Sequence, residues 1–153
     1  MGIALALHVV ATVVWVGGMF FAYMVLRPSA AQVLGASDRL TLWVEVLSGF
    51  FRWVMLSILL LLGTGYWMLF GGFGGFGNAG TYIHIMHGLG LLMVVVFGHV
   101  FSMPFKRMSA LIQQENWSAG AEELARVRRL VGVNLILGLL TVVVATAGRY
   151  GWS

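Results

Sequence analysis

Two long stretches of the chain contain no formally charged side chain. Residues 1–26 and 53–105 lack Asp, Glu, Lys and Arg. About 20 apolar residues are needed to cross a bilayer as a helix, so the first stretch can cross once and the second twice. Because 60% of the 153 residues are hydrophobic and only 9% are charged, the chain has too little polar surface for a soluble fold. The sequence therefore predicts an all-α integral membrane protein.

Four transmembrane spans can be drawn, at residues 3–26, 50–70, 82–104 and 130–150. Between the second and third spans, residues 71–80 read GGFGGFGNAG, and this glycine density cannot hold a helix. The first span is long and lacks the N-terminal positive charge of a cleavable signal peptide, so it is interpreted as a retained helix. We expect one domain, residues 1–153, that folds as an up-down four-helix bundle.

The basic residues indicate the orientation of the bundle. Eight of the nine Lys and Arg residues lie in or beside the two loops that follow the first and third spans, and Arg149 lies at the other end. The positive-inside rule then places these loops in the cytoplasm of a bacterial-type inner membrane, with the glycine-rich loop and both termini in the periplasm. Ser37 or Asp38, and Ser118, are predicted to cap cytoplasmic extensions of the second and fourth helices.

Four histidines lie within the apolar spans. Ionisable side chains in lipid usually mark functional sites, and imidazole is a common ligand of metals and of haem iron. Helical rise places His8, His84 and His87 near the periplasmic face, whereas His99 lies about 22 Å deeper than His84. The absence of Cys excludes thiolate metal sites, iron–sulfur clusters and covalently attached haem. His8 and His84 are the predicted metal ligands, and His87 and His99 are further candidates for binding a cofactor.

A haem b held between the first and third helices is the leading hypothesis. His8 from the first helix, with His84 or His87 from the third, supplies two axial imidazoles at matching depth. Arg149 is the one Lys or Arg side chain on the periplasmic side and is a candidate partner for a haem propionate. The protein would then take part in electron transfer or act as a haem-dependent membrane oxidoreductase, with a redox protein or a quinone as partner.

Two other classes of function stay open. Thioether and imidazole ligands together suit Cu(I), and the chain contains nine Met, with Met86 directly before His87. A copper-handling membrane protein without haem is therefore the main alternative. The third class is a structural subunit whose histidines only join helices by hydrogen bonds. The lipid bilayer is the expected environment. Nucleic acid is not an expected partner, because the arginines flank the spans. A homo-oligomer is compatible with the sequence.

Several segments resemble known membrane proteins. They are His8 followed by Trp15 and Gly17-Gly18, then Tyr82-Ile83-His84, His99, and the stretch RRLVGVN at residues 128–134. Together they resemble the membrane domain of the copper-resistance protein D (CopD) family, which implies copper transport. The first helix is also similar to that of HemJ-type protoporphyrinogen oxidases, which are four-helix haem b proteins, and this resemblance implies haem binding by His8 and His84. Met86 stands where those oxidases carry a lysine, so the resemblance does not extend to porphyrinogen oxidation.

Overall fold

The computed structural model describes residues 1–151, and these form four long helices. Helix α1 spans Gly2–Val33, α2 spans Ala36–Gly71, α3 spans Thr81–Gln113 and α4 spans Trp117–Gly151. All four are long and apolar enough to cross a membrane, and the described residues contain no strand. The prediction of an all-α membrane protein with four spanning helices is confirmed.

The helices are longer than a membrane is thick. Helix α2 has 36 residues and is therefore about 54 Å long at about 1.5 Å per residue, against a hydrocarbon core of about 30 Å. It begins at Ala36 rather than at residue 50, and α4 begins at Trp117 rather than at residue 130. The predicted extensions of both helices are present. They lie at the end of the bundle that carries most of the arginines, called here the arginine end; the end with residues 71–80 is called the loop end.

The predicted caps of these extensions were wrong in detail. Gly35 is the N-cap of α2, and no side chain makes a capping hydrogen bond there. Asp38 instead lies in the first turn, where a negative charge is favourable to the helix dipole. At the start of α4, Oδ1 of Asn116 accepts a hydrogen bond from the Ala119 N–H at 3.3 Å. Both helices therefore begin earlier than predicted, and Ser118 is already inside α4.

Helix α3 continues beyond the end of its predicted span. Pro104 lies inside a π-helical turn, Phe101–Phe105, and the chain stays helical to Gln113. A proline removes one backbone donor and collides with the carbonyl of the preceding turn, and a π turn gives that carbonyl more room. The Ser102 hydroxyl also donates to the Gly98 carbonyl at 2.7 Å, which satisfies an acceptor beside the irregular turn.

Helix α1 contains two further π turns. They span Val13–Gly17 and Ala22–Leu26, and the second comes directly before the segment that contains Pro28. The Ser29 hydroxyl donates to the Val25 carbonyl at 2.8 Å, as Ser102 does in α3. The first helix therefore runs past residue 26, where its span was predicted to end, to Val33.

The four helices pack mainly as two pairs of sequence neighbours. Helix α1 lies along α2 and α3 lies along α4, while α4 also contacts α1 and α2. Backbone contacts between α1 and α3 are sparse. Buried aromatic rings connect the helices near mid-bundle, where the Phe97 ring centroid is 6.3 Å from that of Trp15 and 5.3 Å from that of Phe51, both edge-on. One cavity lies at the loop end of the bundle and another at the arginine end, and the two share no lining residue.

A glycine brings α4 close to α1 and α3 at the loop-end cavity. A β-carbon on Gly138 would lie 2.9 Å from Val16 Cγ2 and 3.1 Å from Met93 Cε. Small residues permit this kind of close helix approach in membranes. Gly138 therefore forms part of the cavity wall without filling the cavity.

Candidate functional site

The loop-end cavity is the candidate site. Its volume is about 130 Å³, and all four helices and Phe76 of the glycine-rich loop contribute to its lining. The lining is mainly apolar. Its side chains with nitrogen, oxygen or sulfur atoms are His8, Thr12, Trp15, Tyr66, Met86, His87, Met93 and Thr141.

His8 is positioned by a hydrogen bond to α2. Its Nδ1 lies 2.9 Å from Oγ1 of Thr64, and the Thr64 hydroxyl donates to the Leu60 carbonyl of its own helix. A hydroxyl has one proton, so with this proton on the Leu60 carbonyl the Thr64 oxygen can only accept from His8. In this arrangement, a neutral His8 carries its proton on Nδ1 and its lone pair on Nε2. A partner that fixes the tautomer in this way is typical of a histidine that ligates a metal.

Gly65 leaves space beside the His8 ring. A β-carbon at this position would lie 3.3 Å from Cε1 of His8, closer than ordinary van der Waals contact. Gly65 also lines the cavity, next to Thr64 in the sequence. The segment Gly63-Thr64-Gly65-Tyr66 of α2 therefore supplies the hydrogen-bond partner of His8, space for its ring and an aromatic wall.

His87 is the α3 histidine that shares the cavity with His8. Its half-buried ring is packed edge-on against Tyr66 and Phe76, at centroid distances of 5.5 Å and 5.3 Å. His84 is exposed and stacks on Phe76 at 5.8 Å, and it does not line the cavity. Of the two α3 partners considered for His8, the structure brings His87 to the same cavity and leaves His84 against the loop.

The other two predicted site residues lie away from this cavity. His99 is exposed on α3, and its backbone carbonyl accepts a hydrogen bond from the Ser102 hydroxyl at 3.4 Å. Arg149 is exposed in the last turn of α4. Neither residue lines the loop-end cavity. Their predicted roles in binding a cofactor stay predictions.

Two methionines add sulfur atoms to the cavity. Met93 is 3% exposed, and its Sδ lies 3.9 Å from Oγ1 of Thr141. That hydroxyl also donates to the Leu137 carbonyl at 2.7 Å, which is the shorter contact, so the sulfur lone pairs are not engaged by a strong donor. Met86, one residue before His87, lines the same cavity. The cavity thus combines two imidazoles with two thioethers.

The clusters of carboxylate, thiolate and imidazole ligands that many metal sites use are missing from the described part of the chain. Within residues 1–151, no three His, Cys, Asp or Glu side chains come close enough together to hold a metal ion. A metal bound at the cavity would therefore depend on imidazole and thioether donors. Such soft and borderline ligands favour Cu(I) over hard cations such as Mg²⁺ or Ca²⁺.

Sequence reasoning missed the contributions of α2 and of the loop. Thr64 and Tyr66 are polar residues in the second span, and Phe76 lies in the glycine-rich loop. The polar character of Thr64 inside an apolar span was the available signal. Its pairing with His8 could not be read from the sequence, because the two residues are 56 positions apart and their contact depends on how α1 and α2 are rotated.

The fold and the cavity define a multi-pass, four-helix membrane protein with an imidazole- and thioether-lined cavity. A family model described as copper resistance protein D (CopD) matches residues 44–147, which is more than half of the chain. The protein therefore belongs to the CopD family. No curated protein and no solved structure gives a significant match. The match begins within α2, so it contains His84, His87 and His99 but not His8. The similarity to HemJ-type oxidases stays a prediction.

Proposed function

We propose that this CopD-family protein binds Cu(I) in the loop-end cavity as a step in copper transport or delivery. The observation that carries the proposal is the joint presence of His8, Met86, His87 and Met93 in the lining of one cavity. Imidazole nitrogen and thioether sulfur are neutral ligands of the kind Cu(I) accepts. Copper is the cargo in this proposal and not a resident catalyst.

The charge of the cavity also favours Cu(I) over Cu(II). No Asp or Glu lines the cavity, so a bound cation keeps its full charge in an apolar environment. The cost of desolvating an ion rises steeply with its charge, and a monovalent ion is therefore easier to accommodate than a divalent one. The lone pair on Nε2 of His8, argued from its Thr64 contact, is the donor that is best oriented in advance.

Haem b is a second candidate for the same cavity, because His8 of α1 and His87 of α3 provide one imidazole from each helix. The loop-end cavity has a volume of about 130 Å³, which is below the roughly 300–1,000 Å³ typical of small-molecule sites. The cavity as it stands therefore does not fit a macrocycle. A haem would require the cavity to widen, with Phe76 and the loop displaced. Electron transfer with a redox protein or a quinone would belong to this second candidate.

Titration of the purified protein with Cu(I) separates these functions. With a colorimetric Cu(I) chelator as competitor, we expect one tightly bound Cu(I) per chain and a protein without a Soret band. A Soret band with the split visible bands of a low-spin haem on reduction would instead support haem b. A colourless protein that takes no Cu(I) from the chelator would contradict both and leave a structural role for the histidines.

We propose further that the protein lies in a bacterial-type inner membrane with the loop end facing the periplasm. Eight of its nine Lys and Arg residues lie at the arginine end or beside it. The expected result is that alkaline phosphatase fused to the C-terminus is active, because this enzyme needs the periplasm. Green fluorescent protein at the same position is the reciprocal control and should be dark when exported in unfolded form. Bright fluorescence with an inactive phosphatase would contradict the orientation.

A further inference from the structure

A second cavity lies at the arginine end, between α1, α2 and α4. Its volume is about 320 Å³. Three arginines line it, Arg27 from α1, Arg39 from α2 and Arg128 from α4, and no Asp, Glu or Lys does so. The cavity is separate from the copper site proposed above, since the two share no lining residue.

The three guanidinium groups of this arginine pocket have no carboxylate partner. In the part of the chain that the structure describes, the one salt bridge joins Arg126 to Glu123 at 3.1 Å. Cζ of Arg27 lies 4.4 Å from the ring centroid of Tyr23, so this group is held over an aromatic face. Three like charges around one cavity repel each other. An anion bound between them would attract all three guanidinium groups and offset this repulsion.

The inner wall of the arginine pocket is apolar. Leu40, Trp43 and Leu47 are buried, and Phe50 follows them one turn deeper on the same face of α2. These residues run from the charged mouth toward the middle of the bundle. The volume of the pocket falls within the roughly 300–1,000 Å³ of small-molecule sites. The pocket therefore has the two parts that an amphiphile with an anionic head requires.

We propose that the arginine pocket binds the phosphate diester of an anionic phospholipid, with part of an acyl chain against Trp43 and Leu47. Guanidinium groups form paired hydrogen bonds to phosphate oxygens, and basic pockets between helices at the cytoplasmic side are suited to anionic lipid heads. The lipid would contact α1, α2 and α4 together and so hold the three helices at the arginine end. Free inorganic phosphate shares the head-group chemistry but would leave the apolar wall unused.

Native mass spectrometry of the full-length protein, released from nanodiscs of phosphatidylcholine and phosphatidylglycerol, tests the proposal. We expect one phosphatidylglycerol to be retained per chain in preference to phosphatidylcholine. Arg39→Gln and Arg128→Gln should each weaken retention about fivefold, in line with the attraction of one basic residue to anionic lipid. Arg129→Gln is the matched control, because Arg129 is exposed like its neighbour Arg128 but does not line the pocket.

Measurements on the parent protein alone can overturn the proposal, so the test holds even if a variant does not fold. Equal retention of the two lipids by the parent, or displacement of phosphatidylglycerol by an equal concentration of inorganic phosphate, would exclude a phospholipid site. If Arg128→Gln and Arg129→Gln weaken the retention of phosphatidylglycerol equally, the lipid is attracted to the charged surface in general and not to a pocket. Cu(I) binding should be unchanged in all three variants, which keeps this test separate from that of the loop-end cavity.

Discussion

Replacement of His8 by alanine is expected to weaken Cu(I) binding by more than about 100-fold. Loss of a residue that only orients a metal ligand costs about 10- to 100-fold in affinity, and loss of the ligand itself should cost at least as much. His8 is half-buried in the cavity lining, so its removal leaves a small apolar space and the helices in place. Chelator competition on the purified variant measures the change, and circular dichroism checks that the helices are retained.

The other histidines supply the matched controls for this prediction. His87→Ala should also weaken Cu(I) binding strongly, because His87 lines the same cavity. His84→Ala and His99→Ala should bind like the parent, since both side chains are exposed and outside the cavity. Parent-like affinity in His8→Ala and His87→Ala would refute the copper site. A strong loss of Cu(I) affinity in His84→Ala with none in His87→Ala would instead favour the pair of ligands that the sequence predicts, His8 and His84.

Replacement of Thr64 by valine is expected to weaken Cu(I) binding about 10- to 100-fold although Thr64 is not itself a ligand. Valine keeps the shape of threonine but removes the oxygen that accepts from Nδ1 of His8. Without this acceptor, the imidazole can rotate and can place its proton on Nε2, where it blocks metal binding. Competition titration across a range of pH measures the effect.

Two variants distinguish this positioning role from a general effect on α2 or on threonine. Thr64→Ser keeps the hydroxyl and should restore most of the affinity. Thr146→Val removes an exposed hydroxyl that bonds only to carbonyls of its own helix, so it should leave Cu(I) binding unchanged. If Thr64→Val binds Cu(I) as tightly as the parent, the tautomer argued for His8 plays no part in binding.

The sequence predicts the helices well because each spanning segment is defined by local composition. Absence of charge marked the spans, and the glycine-rich loop marked the break between the second and third. The helix ends were less predictable. Pro104 coincides with the end of a predicted span, but the π turn Phe101–Phe105 and the Ser102 hydroxyl let the helix continue. Such turns leave no clear signal in the hydrophobic pattern, because they change backbone pairing and not side-chain polarity.

For the candidate site, the sequence predicts the types of residue and their depth in the membrane, but only partly which residues lie next to each other. Helical rise correctly grouped His8 and His87 at one end of the bundle, since rise depends on chain position alone. It could not choose between His84 and His87, which lie within one turn on the same helix. That choice depends on the rotation of α3 and on Phe76, which stacks on His84 and packs edge-on against His87. Both are properties of the assembled bundle.

The π turns in α1 affect how the chain length between His8 and Arg27 is related to the directions of these two side chains. Val13–Gly17 and Ala22–Leu26 lie between the two residues, and His8 faces the loop-end cavity while Arg27 faces the arginine pocket. A π turn holds one residue more than the α turn it replaces, so the loss of one residue from either turn can be absorbed by a return to α-helical pairing. The same loss from a helix that was α-helical throughout would rotate one half by about 100° relative to the other. The two π turns are therefore the places where α1 can shorten by one residue while both side chains keep their directions.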